Sequence, residues 1–486
     1  MSIDNFGFDD FLSVFTWRYG SKEMRRVFSE LRYRALWRRI WVLLAEAQSK
    51  YGLVSQEELN DLKSKADEKY INLKRSHEIE KEIGHDLMAE IKTYAEQCPK
   101  GGGKIHLGAT SMDIEDNADI LRIKDALNII LTRLVNCLNS YSKKILEYKD
   151  LICIGWTHLQ PAEPTTLGYR LANYAQDIVM DIQLTEFLLT NFVKGKGIKG
   201  AVGTSASFKR LLEGIGKPID MENDVMNKLG LEAFFITTQT YPRKLDYLIL
   251  STLASIAQSV HKFAFDLRLL QSPNFGELSE PIKEAQVGSS AMPFKRNPVR
   301  AERMCSLARY VSALPLIAFT NAANTLFERT LDDSANRRII IPEAFLAIDE
   351  CLIIYNKIIS DLRVYPFMIK KNLEKYGPFA GTEAILMKLV ERGENRQEMH
   401  DRIRRYSFIA WERVMKGEKN PLADLLKSDN IISSKLSEKE INDLLNPSMH
   451  IGDVIERCDI FVKNVLEPIL IRYKDRVIEK YEEPSF

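Results

Sequence analysis

From Ile120 onward, apolar side chains recur at Ile123, Leu127, Ile130, Leu134, Leu138, Tyr141, Ile145 and Tyr148. Steps of three and four residues place them on one face of an α-helix, and no Gly or Pro interrupts the run. A second run opens at Pro242 and passes through Leu245, Ile249, Leu253, Ile256, Val260, Phe263, Leu267 and Leu270, with a mean step of about 3.6 residues. At ~1.5 Å of rise per residue, each predicts a rod of roughly 40 Å. Thr166–Phe192, the stretch after Pro298, and Glu343–Leu362 continue the theme. Long rods in succession predict a helical bundle rather than alternating βα units. Leu250, Ala254 and Ala257 stand off the main stripe. A rod apolar on several sides buries several faces, so the bundle is expected to be shared between subunits.

The flanks read differently. Up to about Asp113 the helical patterns are shorter and end in Gly101-Gly102-Gly103. Beyond Pro366 they shorten again and carry charged faces such as Glu394–Arg405. The expected organisation is all-α, with an N-terminal helical domain (1–111), a central long-helix bundle (112–364) and a C-terminal helical domain (365–486). Glu479–Phe486 reads as a frayed tail.

Composition narrows the class. The 486 residues suit about three domains of ~150 residues. Lys plus Arg (68) balances Asp plus Glu (67), which speaks against a nucleic-acid binder. With 24 Gly and 17 Pro the chain has few breakers, again favouring helix over a turn-rich sandwich. No basic and apolar leader opens the chain, and no apolar stretch approaching ~18 residues is expected, so a soluble cytoplasmic protein is anticipated. Cys98, Cys137, Cys153, Cys305, Cys351 and Cys458 are scattered without CxxC spacing, as reduced core thiols are. Two glycine motifs are set aside. Gly195-Lys196-Gly197-Ile198-Lys199-Gly200 matches G-x-G-x-x-G but follows a helix pattern instead of a strand, so flexible backbone near a ligand fits it better than dinucleotide binding. Gly101–Lys104 lacks the spacing and the Ser or Thr of a phosphate loop.

The chemistry concentrates in Val287-Gly288-Ser289-Ser290-Ala291-Met292-Pro293-Phe294-Lys295-Arg296-Asn297-Pro298, followed by Glu302. Gly288, the serines and Pro293 exclude helix interior, and Asn297 with Pro298 reads as an N-cap and first helical residue. A loop offering a hydroxyl, an ammonium and helix-start amides suits a carboxylate or its carbanion.

The pattern G-S-S-x-M-P-x-K-x-N, with Glu seven residues after Lys, resembles the signature loop of the fumarase/aspartase superfamily. Phe327–Arg338 (FERTLDDSANRR) and Thr157-His158-Leu159-Gln160-Pro161-Ala162 resemble its adenylosuccinate lyase family. The signature loop is shared by argininosuccinate lyase, fumarase and aspartase; Phe327–Arg338 and its arginines favour the nucleotide substrate. A catalytically silent structural relative would be free to lose Ser289, Lys295, Asn297 and His158, which are intact here.

The resemblance implies an all-α homotetramer whose active sites are each assembled from three subunits, and a β-elimination of fumarate needing no metal or organic cofactor. It implies Ser289 as the base, activated by Lys295, which with Asn297 would also stabilise the carbanion. His158 would be the general acid, its imidazole oriented by Glu302. His85, in His85-Asp86, would be a second active-site histidine near the phosphate or the departing nitrogen; Gly84 stands where the family pattern has Arg. Arg18, Tyr19, Asp86, Arg303, Arg329, Ser334 and Arg338 are expected to bind the substrate, and Thr110, Ser111, Thr157 and Gln239 are expected on the fumaryl carboxylates. Arg296, Arg300 and Arg337 are left as helix-surface or structural residues.

Overall fold

The computed structural model describes residues 9–282 and 288–478; Val287 and the tail expected to fray lie outside them. Eight helices position the candidate site. They are α1 (Glu30–Ser49), α2 (Leu73–Ile83), α3 (Asp86–Gln97), α4 (Ser111–Tyr148), α5 (Leu167–Asn191), α6 (Lys244–Gln271), α7 (Val299–Ala323) and α8 (Ser334–Ser360). The last five are the predicted rods. α4 starts earlier than its clearest stripe, at Thr110, whose backbone N–H donates to Asp113 Oδ2 at 2.9 Å. α5 is capped by Thr166, whose hydroxyl accepts from the Tyr169 N–H at 3.2 Å. α8 runs back through Pro342 to Ser334, so a proline that reads as a boundary lies inside the rod.

The rods meet in one apolar core. Tyr141 of α4, Phe263 of α6 and Tyr355 of α8 are fully buried. The Tyr141 and Tyr355 hydroxyls share a hydrogen bond at 2.7 Å, and Phe263 stacks on Tyr355 with ring centroids 4.4 Å apart. Three helices thus converge on one aromatic cluster in which the buried hydroxyls satisfy each other. All six cysteines are free and buried. A separate cluster, including Ile385, Leu389, Ile403, Leu426 and Ile441, forms the core of the following region. Cys458, Val462 and Leu466 return the chain to the main core.

Three features differ from the sequence reading. First, α6 is long and apolar enough to cross a membrane by length and composition. More than half of that apolar window is buried inside the fold, as in a core helix of a bundle. Second, two small antiparallel sheets interrupt the helices: β1 (Ile152–Thr157) with β2 (Gln160–Thr166), and β3 (Leu278–Ser279) with β4 (Arg363–Val364). Third, the Gly195–Gly200 loop is pinned. Lys196 is bonded to Asp113 and Lys199 to Glu222, all four residues buried. The Gly195 N–H donates to Glu232 O at 2.7 Å. Buried ion pairs explain the glycines as room for close packing.

Candidate active site

The predicted residues fall into four groups on one chain. The first sits at the end of the bundle beside α3. Asp86, Arg329, Ser334 and Arg338 line a pocket of about 280 Å³ together with Tyr33 and Trp37. Asp86 Oδ2 accepts from Arg338 Nη2 at 3.0 Å. His85 caps α3, its Nδ1 accepting from the Met88 N–H at 3.4 Å. Neutral His85 therefore carries its proton on Nε2, directed away from the helix. Ser111 opens α4, whose Met112 and Glu115 also face the pocket. Burial, then Asp86, Asp119 and Asp116, push the Glu115 carboxyl up to about 8, with Arg338 opposing. The Gln239 N–H donates to Glu328 O at 3.2 Å, which sets Gln239 beside the Arg329 turn.

The second group is the turn before the first long helix. Arg303 lies over the Tyr19 ring at 5.6 Å, and Arg18 lies 5.9 Å from the same ring. Two buried acids of α8 hold this turn. Glu350 accepts from Arg303 Nη1 at 3.3 Å and from the Gly20 N–H at 3.2 Å. Asp349 accepts from the Ser21 N–H at 2.7 Å. The turn requires glycine: Gly20 has φ +83°, and an added Cβ would stand 2.6 Å from Leu346 Cδ2.

The third group is the signature loop. Ser289 Oγ accepts from the Met292 N–H at 3.1 Å and from the Ala291 N–H at 3.3 Å. Two amides aimed at one hydroxyl oxygen favour its deprotonated form. Asn297 is not the helix cap. Its Nδ2 donates to Gly288 O at 2.9 Å, folding the loop on itself, and Pro298 takes the cap position. The orphan amides of the α7 start are met from outside the helix: buried Glu280 accepts from the Arg300 and Ala301 N–H groups, each at 3.1 Å. Lys295 and Glu302 are exposed.

The fourth group is the tip of the β1–β2 hairpin. Thr157 pairs with Gln160, leaving His158 and Leu159 as a two-residue turn. Both have positive φ, 55° and 58°. That is the twist-matched hairpin turn, here built without the usual Asn-Gly. His158 is exposed, and among the described residues nothing in its own chain hydrogen-bonds to it, Glu302 included. Each group offers donors to an anion or a proton to a leaving group, but hydroxyl and imidazole stand on separate elements.

A family model described as "Lyase" matches residues 21–312, and one described as "Adenylosuccinate lyase C-terminus" matches residues 378–461. An adenylosuccinate lyase of Schistosoma mansoni is 42% identical over 473 residues, spanning 96% of this chain and 97% of its own. The chain belongs to the adenylosuccinate lyase family. A second relative in that family, from Saccharomyces cerevisiae, is 40% identical over 470 residues, spanning 95% of this chain and 96% of its own. The fold extends further. The 3-carboxy-cis,cis-muconate lactonizing enzyme of Pseudomonas putida superposes with a TM-score of 0.82 at 23% identity, covering 93% of this chain and 98% of that one.

Within an adenylosuccinate lyase family chain, Gly84 has a local explanation. It ends α2 in the left-handed conformation, φ +68°, with its N–H donating to Glu80 O at 2.8 Å. An arginine there would strain the backbone. The sequence reading missed Asp333, Asp349, Glu350 and Glu280, the acids that hold candidate arginines and loop ends. Their signal was present as carboxylates inside apolar runs, Asp349-Glu350 above all, since charge is rarely buried unpaired.

Proposed function

We propose that this chain cleaves adenylosuccinate to AMP and fumarate, and the succinyl-aminoimidazole-carboxamide ribotide of purine biosynthesis to its carboxamide and fumarate. It would act as a cytoplasmic homotetramer, each active site drawing on three subunits, with the three-region division at 112 and 365. Membership of the family along nearly the whole chain, with every signature-loop residue intact, is the observation that carries this reading.

In the proposed reaction Ser289 takes the proton from the carbon next to a carboxylate, and the C–N bond breaks as the new C=C bond forms. The departing nitrogen takes a proton from His158, and fumarate leaves. The amides of Ala291 and Met292 support charge on Ser289 Oγ, and Lys295 supplies a cation on the same loop. Asn297, by closing the loop on Gly288, would keep hydroxyl and ammonium on one side. Arg329, Arg338 and the Ser334 hydroxyl would receive the phosphate, with the start of α8 behind them. Arg18, Tyr19 and Arg303 would complete the anion contacts. Thr110, Ser111, Thr157 and Gln239 would hold the fumaryl carboxylates, and His85 would stand near the phosphate or the departing nitrogen.

Two observations support a shared site. His158 makes no bond within its own chain among the described residues, so Glu302 would orient it from another subunit. The rods also leave Met180, Phe187, Leu316 and Phe319 exposed, as faces that pack against copies of themselves do. The free, buried cysteines suit a reducing compartment. The test is fumarate release from adenylosuccinate, argininosuccinate, aspartate and malate offered in parallel. Release from adenylosuccinate alone is expected. Release from another substrate would overturn the nucleotide assignment, and silence on all four would overturn the enzyme reading.

A further inference from the structure

Arg329 and Arg243 share one carboxylate. Asp333 Oδ1 accepts from Arg329 Nη1 at 2.9 Å, and its Oδ2 accepts from Arg243 Nε at 2.8 Å. Asp333 is 1% exposed. Arg243 is buried too and donates through Nη2 to Asp116 Oδ1 at 3.1 Å. The chain of contacts therefore runs from the core of α4, through the start of α6, to a guanidinium that lines the pocket.

The position of Asp333 makes this arrangement informative. It is the N-cap residue of α8, where an aspartate ordinarily accepts from amides of the first helical turn. Asp333 makes no such bond, and its carboxylate is given wholly to the two arginines. Burial opposes its charge, yet Arg243, Arg329 and Arg337 hold the carboxyl below its ordinary value. The group stays ionised at neutral pH, so both bonds to it are charge-assisted. A long side chain with many rotamers is thereby held to one direction before any ligand arrives, which lowers the ordering cost of binding.

We propose that Asp333 is a positioning residue that fixes the Arg329 guanidinium for the substrate's phosphate. This rests on the reading of Arg329 as a phosphate contact. Asp333 touches no reacting atom; it acts through Arg329, and Arg243 is the buried post that keeps Asp333 in place.

The test compares Asp333→Asn, Arg329→Gln and the double variant in the assembled enzyme, using adenylosuccinate as substrate and inorganic phosphate as competing inhibitor. Asp333→Asn is expected to raise both KM and the phosphate inhibition constant about tenfold, the size of one charge-assisted bond, with kcat within about twofold. The double variant should be no worse than Arg329→Gln, because both substitutions remove one interaction. A loss of kcat with unchanged KM, or additive losses in the double variant, would overturn the positioning role. Unchanged phosphate inhibition in Arg329→Gln would instead overturn the assignment of Arg329 to phosphate. If Asp333→Asn fails to assemble, Asp333→Glu decides. It keeps a charge for Arg243 but shifts the oxygen facing Arg329, and the same rise in the phosphate constant is expected; no rise would overturn the proposal.

Discussion

Asp86 and Arg338 lie 252 positions apart and form an ion pair at 3.0 Å. The pair joins the helix that His85 caps to the rod that carries Ser334, and so closes one wall of the pocket. Because the Arg338 side chain is 66% exposed, solvent screens the attraction. Asp86→Asn should therefore change unfolding stability by less than about 1 kcal/mol while raising KM severalfold through a misplaced Arg338. Denaturant titration beside steady-state kinetics separates the two, and a large stability loss with unchanged KM would refute the wall role.

Ser289→Ala and His158→Ala should each remove most turnover and leave the assembly folded by circular dichroism and size-exclusion chromatography. Loss of a base or an acid typically costs about 10²–10⁴-fold or more. If Ser289→Ala keeps its turnover, the base lies elsewhere. Mixing the two inactive variants under subunit exchange should restore activity, because some sites then receive neither substitution. Confirmed mixed assemblies without recovery would place both residues in one chain's site.

The Glu115 carboxyl, with a folded-state value of about 8 against an ordinary 4.5, is neutral in the fold at pH values where it is ionised in the unfolded chain. Its contribution is fully present below the ordinary value and is lost as pH rises toward about 8. Glu115→Gln abolishes this titration. The stability of the parent relative to Glu115→Gln should therefore fall between pH 5 and 8, as read by melting temperature across that range. A flat difference would show that Glu115 is already ionised in the fold.

Gly84→Arg should lower stability by about 1–2 kcal/mol, the cost of a left-handed non-glycine residue. An added Cβ meets nothing within 4 Å, so the penalty is backbone strain and not a clash. An unchanged melting temperature would count against that account.

The rods were legible because their apolar steps follow the helical period over many turns, long enough to outvote Pro315, whereas Pro342 read as the start of a rod that in fact runs back to Ser334. The His158 hairpin was not legible. β2 carries Pro161 and Pro164, which argue against a strand, and His158-Leu159 lacks the Asn or Gly that announces its turn. The candidate site was legible where its contacts are local, as in the folded loop from Gly288 to Asn297. It was hidden where partners are remote: Glu350 and the Gly20 N–H it accepts from are 330 positions apart, and no periodicity encodes such a pairing. The Asn297 cap failed for a related reason, since Glu280, from across the loop, already meets the amides that a cap would serve.

The two-residue turn at His158 has a consequence for how this chain can vary. Thr157 opposite Gln160 leaves no slack at the tip, and the register irregularity between Ile154 and Trp156 lies behind it, so the paired residues beyond that irregularity set how far the imidazole projects. Inserting a single residue between that irregularity and the tip would shift the pairing and turn the side chains there to the other face. The hairpin behaves as a ruler, and lengthening it would swing the imidazole away from any neighbour it serves. Tolerated insertions and deletions should accordingly gather elsewhere on the surface, leaving the length of 152–166 constant even where its side chains change.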